Sequence, residues 1–398
     1  MMRRFWIGLG CGISAGYALV RASEAVRELR QPSQPLEPDP RRYGRLRRAL
    51  MLAGIARSLA LLGATAYGLG PRFEPRDGES EPRARRIVLI SAALGVSALI
   101  ELPGDFVEGL ALERRYGLSK QTPPAWFADR AKGLAISLAL GVPLIESLVA
   151  AVARAPRRWP LLATAGTFPL LVLGSVIAPT FIAPLFNRFE PLDDERADAI
   201  RTLAARYDAG DAVILRVDMS RQTEKANAYV TGLFGTKRIV IGDTLLEHFA
   251  PGEIRFVVAH ELGHYVQRDV WRGVVLATAA AAAIFCGAGA VAARPGRSLA
   301  NTAGMARLGF AMAWLGLVVQ PALAAFSRSR ERAADAFAMR ATGEPAAGAA
   351  AFRRLRERNQ AEDEQPKWME LLFASHPSLR SRIARLESLS EYQKAPGR

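Results

Sequence analysis

Ile254-Arg255-Phe256-Val257-Val258-Ala259-His260-Glu261-Leu262-Gly263-His264 closes on the pattern HExxH, and a longer apolar run from Val270 to Ala293 follows almost at once. The first stretch is apolar and free of helix breakers, which predicts a helix. On a helix, residues four apart share a face, so His260 and His264 can hold one zinc ion together. Glu261 lies beside the first of them, where a carboxylate can take a proton from water activated by the metal. The chain has only four histidines, and two of them fall at this spacing. The competing reading is two exposed histidines on an ordinary helix.

A catalytic zinc needs a third protein ligand and an open position for water. The remaining histidines, His248 and His376, lack the close spacing of a local ligand. Ser327-Arg328-Ser329-Arg330-Glu331-Arg332-Ala333-Ala334-Asp335-Ala336-Phe337-Ala338 offers a better candidate. Glu331 and Asp335 are four apart and share a helix face. Glu331 can bind zinc directly, and Asp335 can accept the other ring N–H of a ligating histidine and fix its tautomer. From these residues alone a second reading stands level: a surface helix whose acids pair with Arg328, Arg330 and Arg332.

HELGH followed by SRxxExxAD resembles the membrane-embedded gluzincin peptidases, namely the type I CAAX prenyl endopeptidases and their bacterial relatives. Other segments are similar to the same family in the same order. Tyr116 to Thr122 resembles its YGxxxQT loop, and Ile182 to Asn187 its PLFN segment. Asn227 to Gly232 resembles its substrate strand, and Gly242 to Leu246 the stretch before the HExxH helix. Ser375-His376-Pro377-Ser378-Leu379 with Arg382 resembles its C-terminal HPxL…R element. The likeness runs from about Glu101 to Leu389. It implies zinc ligands at His260, His264 and Glu331, a general base and later proton donor at Glu261, and Asp335 behind the ligands. It further implies that His376 and Arg382 offset oxyanion charge or hold the substrate backbone. Asn227, Ala228 and Tyr229 would bind the substrate as an added strand. Without the resemblance, His376 reads as a helix-entry residue before Pro377, and Arg382 as a surface charge.

Apolar residues concentrate in long runs and charged residues between them, the signature of a polytopic membrane protein. The net charge of +15 comes mostly from arginine. These arginines are scattered through the loops without aromatic interleaving or a nucleic-acid motif, so no nucleic-acid partner is expected. Arginine beside membrane spans contacts anionic headgroups more simply. The two cysteines, Cys11 and Cys286, lie in apolar runs and predict neither a disulfide framework nor a cysteine-based zinc site.

Seven spans are expected, near Phe5–Val20, Ala49–Gly70, Ile87–Leu102, Gly133–Val152, Pro160–Ile182, Val270–Ala293 and Ala306–Phe326. Most approach the ~20 residues needed to cross a bilayer core. The first, preceded by Arg3 and Arg4, reads as an uncleaved span, with a signal peptide cleaved near Ala22-Ser23-Glu24-Ala25 as the alternative. Glu101, Asp105 and Glu146 fall in or beside apolar runs, where acids face the bundle interior or water. Between spans, Asp193–Tyr207 predicts a helix, Ala212–Asp218 a strand, and Asn227–Leu233 with Lys237–Ile241 a hairpin.

The expected fold is therefore mainly α: a polytopic membrane bundle of about seven spans carrying a split gluzincin-like zinc-peptidase domain with a small hairpin or sheet. Its parts are residues 1–186 (five spans), 187–269 (substrate strand and HExxH helix), 270–326 (two spans), 327–390 (third ligand) and 391–398 (tail). The heavy use of Ala, Arg and Gly points to a bacterium, hence an inner membrane; loop Lys and Arg do not decide the orientation, and the resemblance implies a site near the cytoplasmic side. The implied activity is peptide hydrolysis with one Zn2+ per chain, on a peptide or protein that is prenylated or membrane-associated. The alternatives are a heat-shock-type quality-control peptidase, a catalytically silent membrane scaffold, and a transporter. The intact Glu261 argues against the scaffold, and HELGH with Glu331 against the transporter.

Overall fold

The structure, a computed structural model, describes residues 37–76, 79–233 and 235–394. The expected span Phe5–Val20 lies outside the described residues. Helix α1 (Pro40–Gly63) starts where the Asp39 carboxylate accepts the Arg42 N–H at 3.0 Å and Pro40 occupies the first turn. It runs on through a π-helical stretch as far as Phe73. Helix α2 (Arg83–Phe106) likewise extends to Arg115. Helix α3 (Pro123–Arg154) is capped by Thr122, and α4 (Trp159–Ile177) ends in another π-helical stretch.

A sheet follows. Strand β1 (Phe189–Pro191) precedes α5 (Glu195–Ala205), whose N-terminal N–H groups at Arg196 and Ala197 donate to Asp194. Strands β2 (Val213–Val217), β3 (Ala228–Thr231) and β4 (Arg238–Gly242) complete it. The order is β1-β2-β4-β3, which leaves β3 on an edge. The expected hairpin is present: β3 runs antiparallel to β4, Ala228 opposite Ile241 and Thr231 opposite Arg238. Its turn uses Gly232 and Gly235, both at positive φ. The parallel pairing of β2 with β4, and the short strand β1, were not expected from the sequence.

Helix α6 (Asp243–His248) leads to α7 (Pro251–Val266), which carries HExxH. At its start Glu253 accepts the Ala250 N–H at 2.8 Å, satisfying a donor that the helix cannot. Helix α8 (Asp269–Ala292) follows α7 after only two intervening residues. Helix α9 (Thr302–Thr342) is 41 residues long and joins the expected last span and the Glu331 segment without a break. No glycine or proline interrupts it between Pro321 and Gly343. Gly343, at φ 68°, then ends it in the left-handed conformation, followed by Pro345. Helices α10 (Pro345–Arg358), α11 (Lys367–Leu372) and α12 (Leu379–Lys394) complete the chain.

The described residues form two compact units: those up to Gly166 with Ala279–Val318, and Thr167–Thr278 with Val319 onward. Among the described residues, six helices are long and apolar enough to cross a membrane. Large apolar side chains on them face outward, Leu99 (64% exposed) and Leu161 (67%) among them, as lipid-facing helices require. Two acids in the first unit are paired across helices. Glu146 is buried and accepts from Arg86 Nε at 2.6 Å and its terminal nitrogen at 2.8 Å, tying α3 to α2. Glu101 accepts from Arg57 and from Ser58 Oγ at 2.7 Å, tying α2 to α1.

The second unit has a soluble-type core. Ile200, Ile239, Ile241, Leu245, Phe256, Val258 and Leu262 are almost fully buried, and Phe337, Phe352 and Leu386 pack on them. Each such side chain stabilises by about 1.5–3 kcal/mol relative to exposure. Helix α7 is thereby sandwiched, and it lies close against α9 at Gly263. A Cβ there would lie 3.1 Å from Ala334 Cα and 3.2 Å from the Phe337 ring. The small residue inside HELGH is therefore what allows the histidine helix to lie against the Glu331 helix. Gly263→Val is expected to force these helices apart, costing ~1–3 kcal/mol and lowering zinc content with the unfolding midpoint in detergent. Gly133→Ala on α3, where a Cβ meets nothing within 4 Å, is the neutral control.

Candidate metal centre

His260 and His264 project from one face of α7, their ring centroids 4.9 Å apart and their planes nearly perpendicular. Glu331 arrives from α9. Its Oε2 lies 3.3 Å from His260 Nε2 and its Oε1 3.4 Å from His264 Nε2. Candidate ligand atoms of the three residues all fall within 4.8 Å of one another. A tetrahedral zinc with bonds of ~2.0–2.1 Å has ligand–ligand edges of ~3.3–3.4 Å. The two measured separations match such edges, and they are long for good hydrogen bonds. Glu331 Oε2 is also buried with no hydrogen-bond partner. The donor set, two imidazole nitrogens and a carboxylate, therefore fits a zinc ion.

Charged neighbours hold this set in place. His260 Nδ1 lies 2.9 Å from Asp335 Oδ1, so its ring N–H donates to the carboxylate and Nε2 is left facing Glu331. Arg382 grips Asp335 with two bonds, Nε to Oδ2 at 2.9 Å and a terminal nitrogen to Oδ1 at 2.6 Å. Its guanidinium also sits 4.0 Å above the Phe352 ring and is buried. Burial would lower the pKa of His260, yet its hydrogen bond to Asp335 and the negative charge of the adjacent Glu331 prevail and push it up to about 9. His264 is raised in the same way, burial being outweighed chiefly by Glu331. The surrounding carboxylates thus favour positive charge at this point, which a divalent cation supplies when it displaces those protons.

Glu261 stands next to His260 and makes no ion pair among the described residues; burial raises its carboxyl, against the pull of the two histidines. His376 reaches the same carboxylate from the loop between α11 and α12, its Nε2 3.3 Å from Glu331 Oε1. Its side chain is 59% exposed, so it borders the open side of the cluster. Ser375 Oγ lies 2.7 Å from its Nδ1. Asn227, Ala228 and Tyr229 lie on or beside the edge strand β3, which packs against α7. The Asn227 carbonyl accepts the Gly242 N–H at 2.9 Å.

The partners of three residues here, Arg328, Arg330 and Asp269, escaped the sequence reading. Arg328 is buried and donates to the carbonyls of Glu370 and Ala374, the latter at 2.8 Å, holding the chain two residues before His376. Arg330 does not pair with Glu331 or Asp335 either. Its Nε donates to Asp269 Oδ1 at 2.7 Å, and Asp269 Oδ2 lies 2.9 Å from His264 Nδ1. Helical spacing hinted at Asp335, whereas nothing in the spacing of Asp269 points to His264.

Comparison with known proteins agrees with this geometry. The model of peptidase family M48 matches residues 192–390, half of the chain. A second, described as CAAX prenyl protease N-terminal, five membrane helices, matches residues 47–188. The chain is 32% identical to CAAX prenyl protease 1 of Saccharomyces cerevisiae over 48% of its length, and 35% identical to a Dictyostelium discoideum homolog over 48%. These alignments span 43% and 46% of those relatives, less than half of either. An uncharacterized metalloprotease of Bacillus subtilis, YhfN, is 29% identical over 73% of this chain and 71% of its own. The crystal structure of S. mikatae Ste24p shares the fold, with a TM-score of 0.75 at 22% identity, covering 95% of this chain and 98% of that one. With six membrane-type helices among its described residues and its HExxH centre, the chain is an integral multi-pass membrane protein that belongs to peptidase family M48.

Proposed function

We propose that this protein is a zinc metalloendopeptidase of the CAAX prenyl protease type, built from a membrane region and a catalytic domain split between residues 187–269 and 327–390. The observation that carries this reading is the convergence of His260, His264 and Glu331 beside a free carboxylate at Glu261. His260, His264 and Glu331 would hold the ion, which when bound supplies a Lewis acid for the scissile carbonyl and acidifies water. Glu261, its basicity raised by burial, takes the proton of the attacking water and passes it to the leaving amine. His376, on the open side, donates a hydrogen bond to the developing oxyanion. Arg382 adds positive charge behind Glu331, 3.7 Å from Oε2, and keeps Asp335 on His260.

The substrate lies extended against β3, pairing with Asn227, Ala228 and Tyr229 as an added strand. That edge is free within the sheet order, and backbone pairing places few demands on side chains. The names of the Saccharomyces and Dictyostelium relatives support a prenylated C-terminal peptide as substrate. The match to a Bacillus protein supports a bacterial host; in this reading the chain sits in the bacterial inner membrane with its site near the cytoplasmic side.

The decisive experiment compares wild type with Glu261→Gln, purified in detergent, for zinc content and for cleavage of a farnesylated CAAX peptide and an unmodified peptide library. Wild type is expected to carry one zinc and to cut. The variant should keep zinc and lose ~10²–10⁴-fold in kcat. Equal cleavage by the variant, or a folded wild type without zinc, refutes the assignment. Preference for the farnesylated peptide supports prenyl processing, and indifference to the lipid points to general proteolysis. Asp335→Asn should weaken zinc binding by ~10–100-fold, measured by chelator competition.

A further inference from the structure

We propose that Asp269, locked by Arg330, is a positioning residue that orients His264 for metal binding, an inference that rests on the zinc-peptidase reading above. Asp269 Oδ2 lies 2.9 Å from His264 Nδ1. The ring N–H at Nδ1 donates to this carboxylate, which turns Nε2 and its lone pair towards Glu331, 3.4 Å away. The other oxygen, Oδ1, accepts from Arg330 Nε at 2.7 Å, and Arg272 stands 3.6 Å from it. Arg330 also donates to the Gln267 side-chain oxygen. Asp269 is only 10% exposed, so its charge acts where solvent screens it little.

Backbone geometry makes this contact specific. Were α7 to continue unbroken, residue 269 would sit five positions past His264, about 140° around the helix axis, and would point away from it. Instead α7 ends at Val266. The Gln267 N–H donates to Gly263 O and the Arg268 N–H to Tyr265 O, and Arg268 takes φ 56°. A residue with a side chain in that conformation costs free energy. The reversal brings Asp269, the first residue of α8, back to the imidazole.

His260 and His264 are thus treated alike. Each gives its Nδ1–H to an aspartate shielded from most solvent, and each aspartate is gripped by an arginine: Asp335 by Arg382, Asp269 by Arg330. Arg330 immediately precedes Glu331 on α9, so one helix turn delivers both the third ligand and the lock on the second. Asp269 also opens α8 as a first-turn acid, a purely structural role that the test must separate from positioning.

The experiment uses the full chain in detergent. Zinc affinity is measured by competition with a chromogenic chelator, kcat and KM with the best peptide substrate, and unfolding midpoints on metal-free samples. Asp269→Ala is expected to bind zinc ~10–100-fold more weakly than wild type, with kcat reduced and KM within about two-fold. Asp269→Asn, which keeps an acceptor oxygen, should recover part of the affinity, and Arg330→Gln should lose less than Asp269→Ala. The metal-free midpoints should stay together. Affinity of Asp269→Ala within about two-fold of wild type overturns the proposal. So does a loss that follows the metal-free midpoint with no recovery in Asp269→Asn, since that is the mark of the structural role. A wild type that binds no zinc defeats the parent reading and this one with it, whereas a zinc-loaded, active wild type with an indifferent Asp269→Ala defeats this one alone.

Discussion

Glu331 has to sit against two imidazoles carried by another helix, and much of the second unit is arranged to keep it there. The separations of 3.3 and 3.4 Å between its oxygens and the Nε2 atoms leave little room for error. Helix-on-helix contact at Gly263 sets the distance, and the buried faces of α7, α9, α10 and α12 fix the rotation of each helix. Isolated charges in such a core would be expelled by their desolvation cost. They persist because each is paired: His260 with Asp335, Asp335 with Arg382, His264 with Asp269, and Asp269 with Arg330.

Rigid elements supply most of the site. The two histidines, Glu261 and Glu331 ride on helices, whose positions are set by packed side chains and hence hold a constellation better than loops do. His376 is the exception, arriving on a loop with an exposed ring. Arg328 compensates by binding the carbonyls of Glu370 and Ala374, so that the loop is anchored just before the histidine. Openness on that side is what a group meeting substrate needs, and burial on the opposite side is what a group orienting a ligand needs.

The first unit solves a different problem with related means. Its helices show apolar side chains outward and hide their few acids against arginines, Glu146 on Arg86 and Glu101 on Arg57. Inside a membrane span no water satisfies an unpaired carboxylate, so pairing across helices both neutralises the charge and sets the register of the helices.

The amino-acid sequence by itself determined the local features. The i,i+4 pair His260 and His264 with Glu261, six of the seven expected membrane spans and the β3–β4 hairpin were legible, because each depends on hydropathy or on spacing within one element. Glu331 and Asp335 were legible as a shared helix face but stood level with a surface reading, and only a family resemblance separated the two. Tertiary structure alone decided which arginine holds which acid, the parallel pairing of β2 with β4, and the approach of Asp269 to His264. Those features join residues from different elements, or cross a backbone reversal at Arg268 that apolar periodicity does not record. Periodicity reports the face a residue occupies on its own helix; what meets that face is set by how the helices pack.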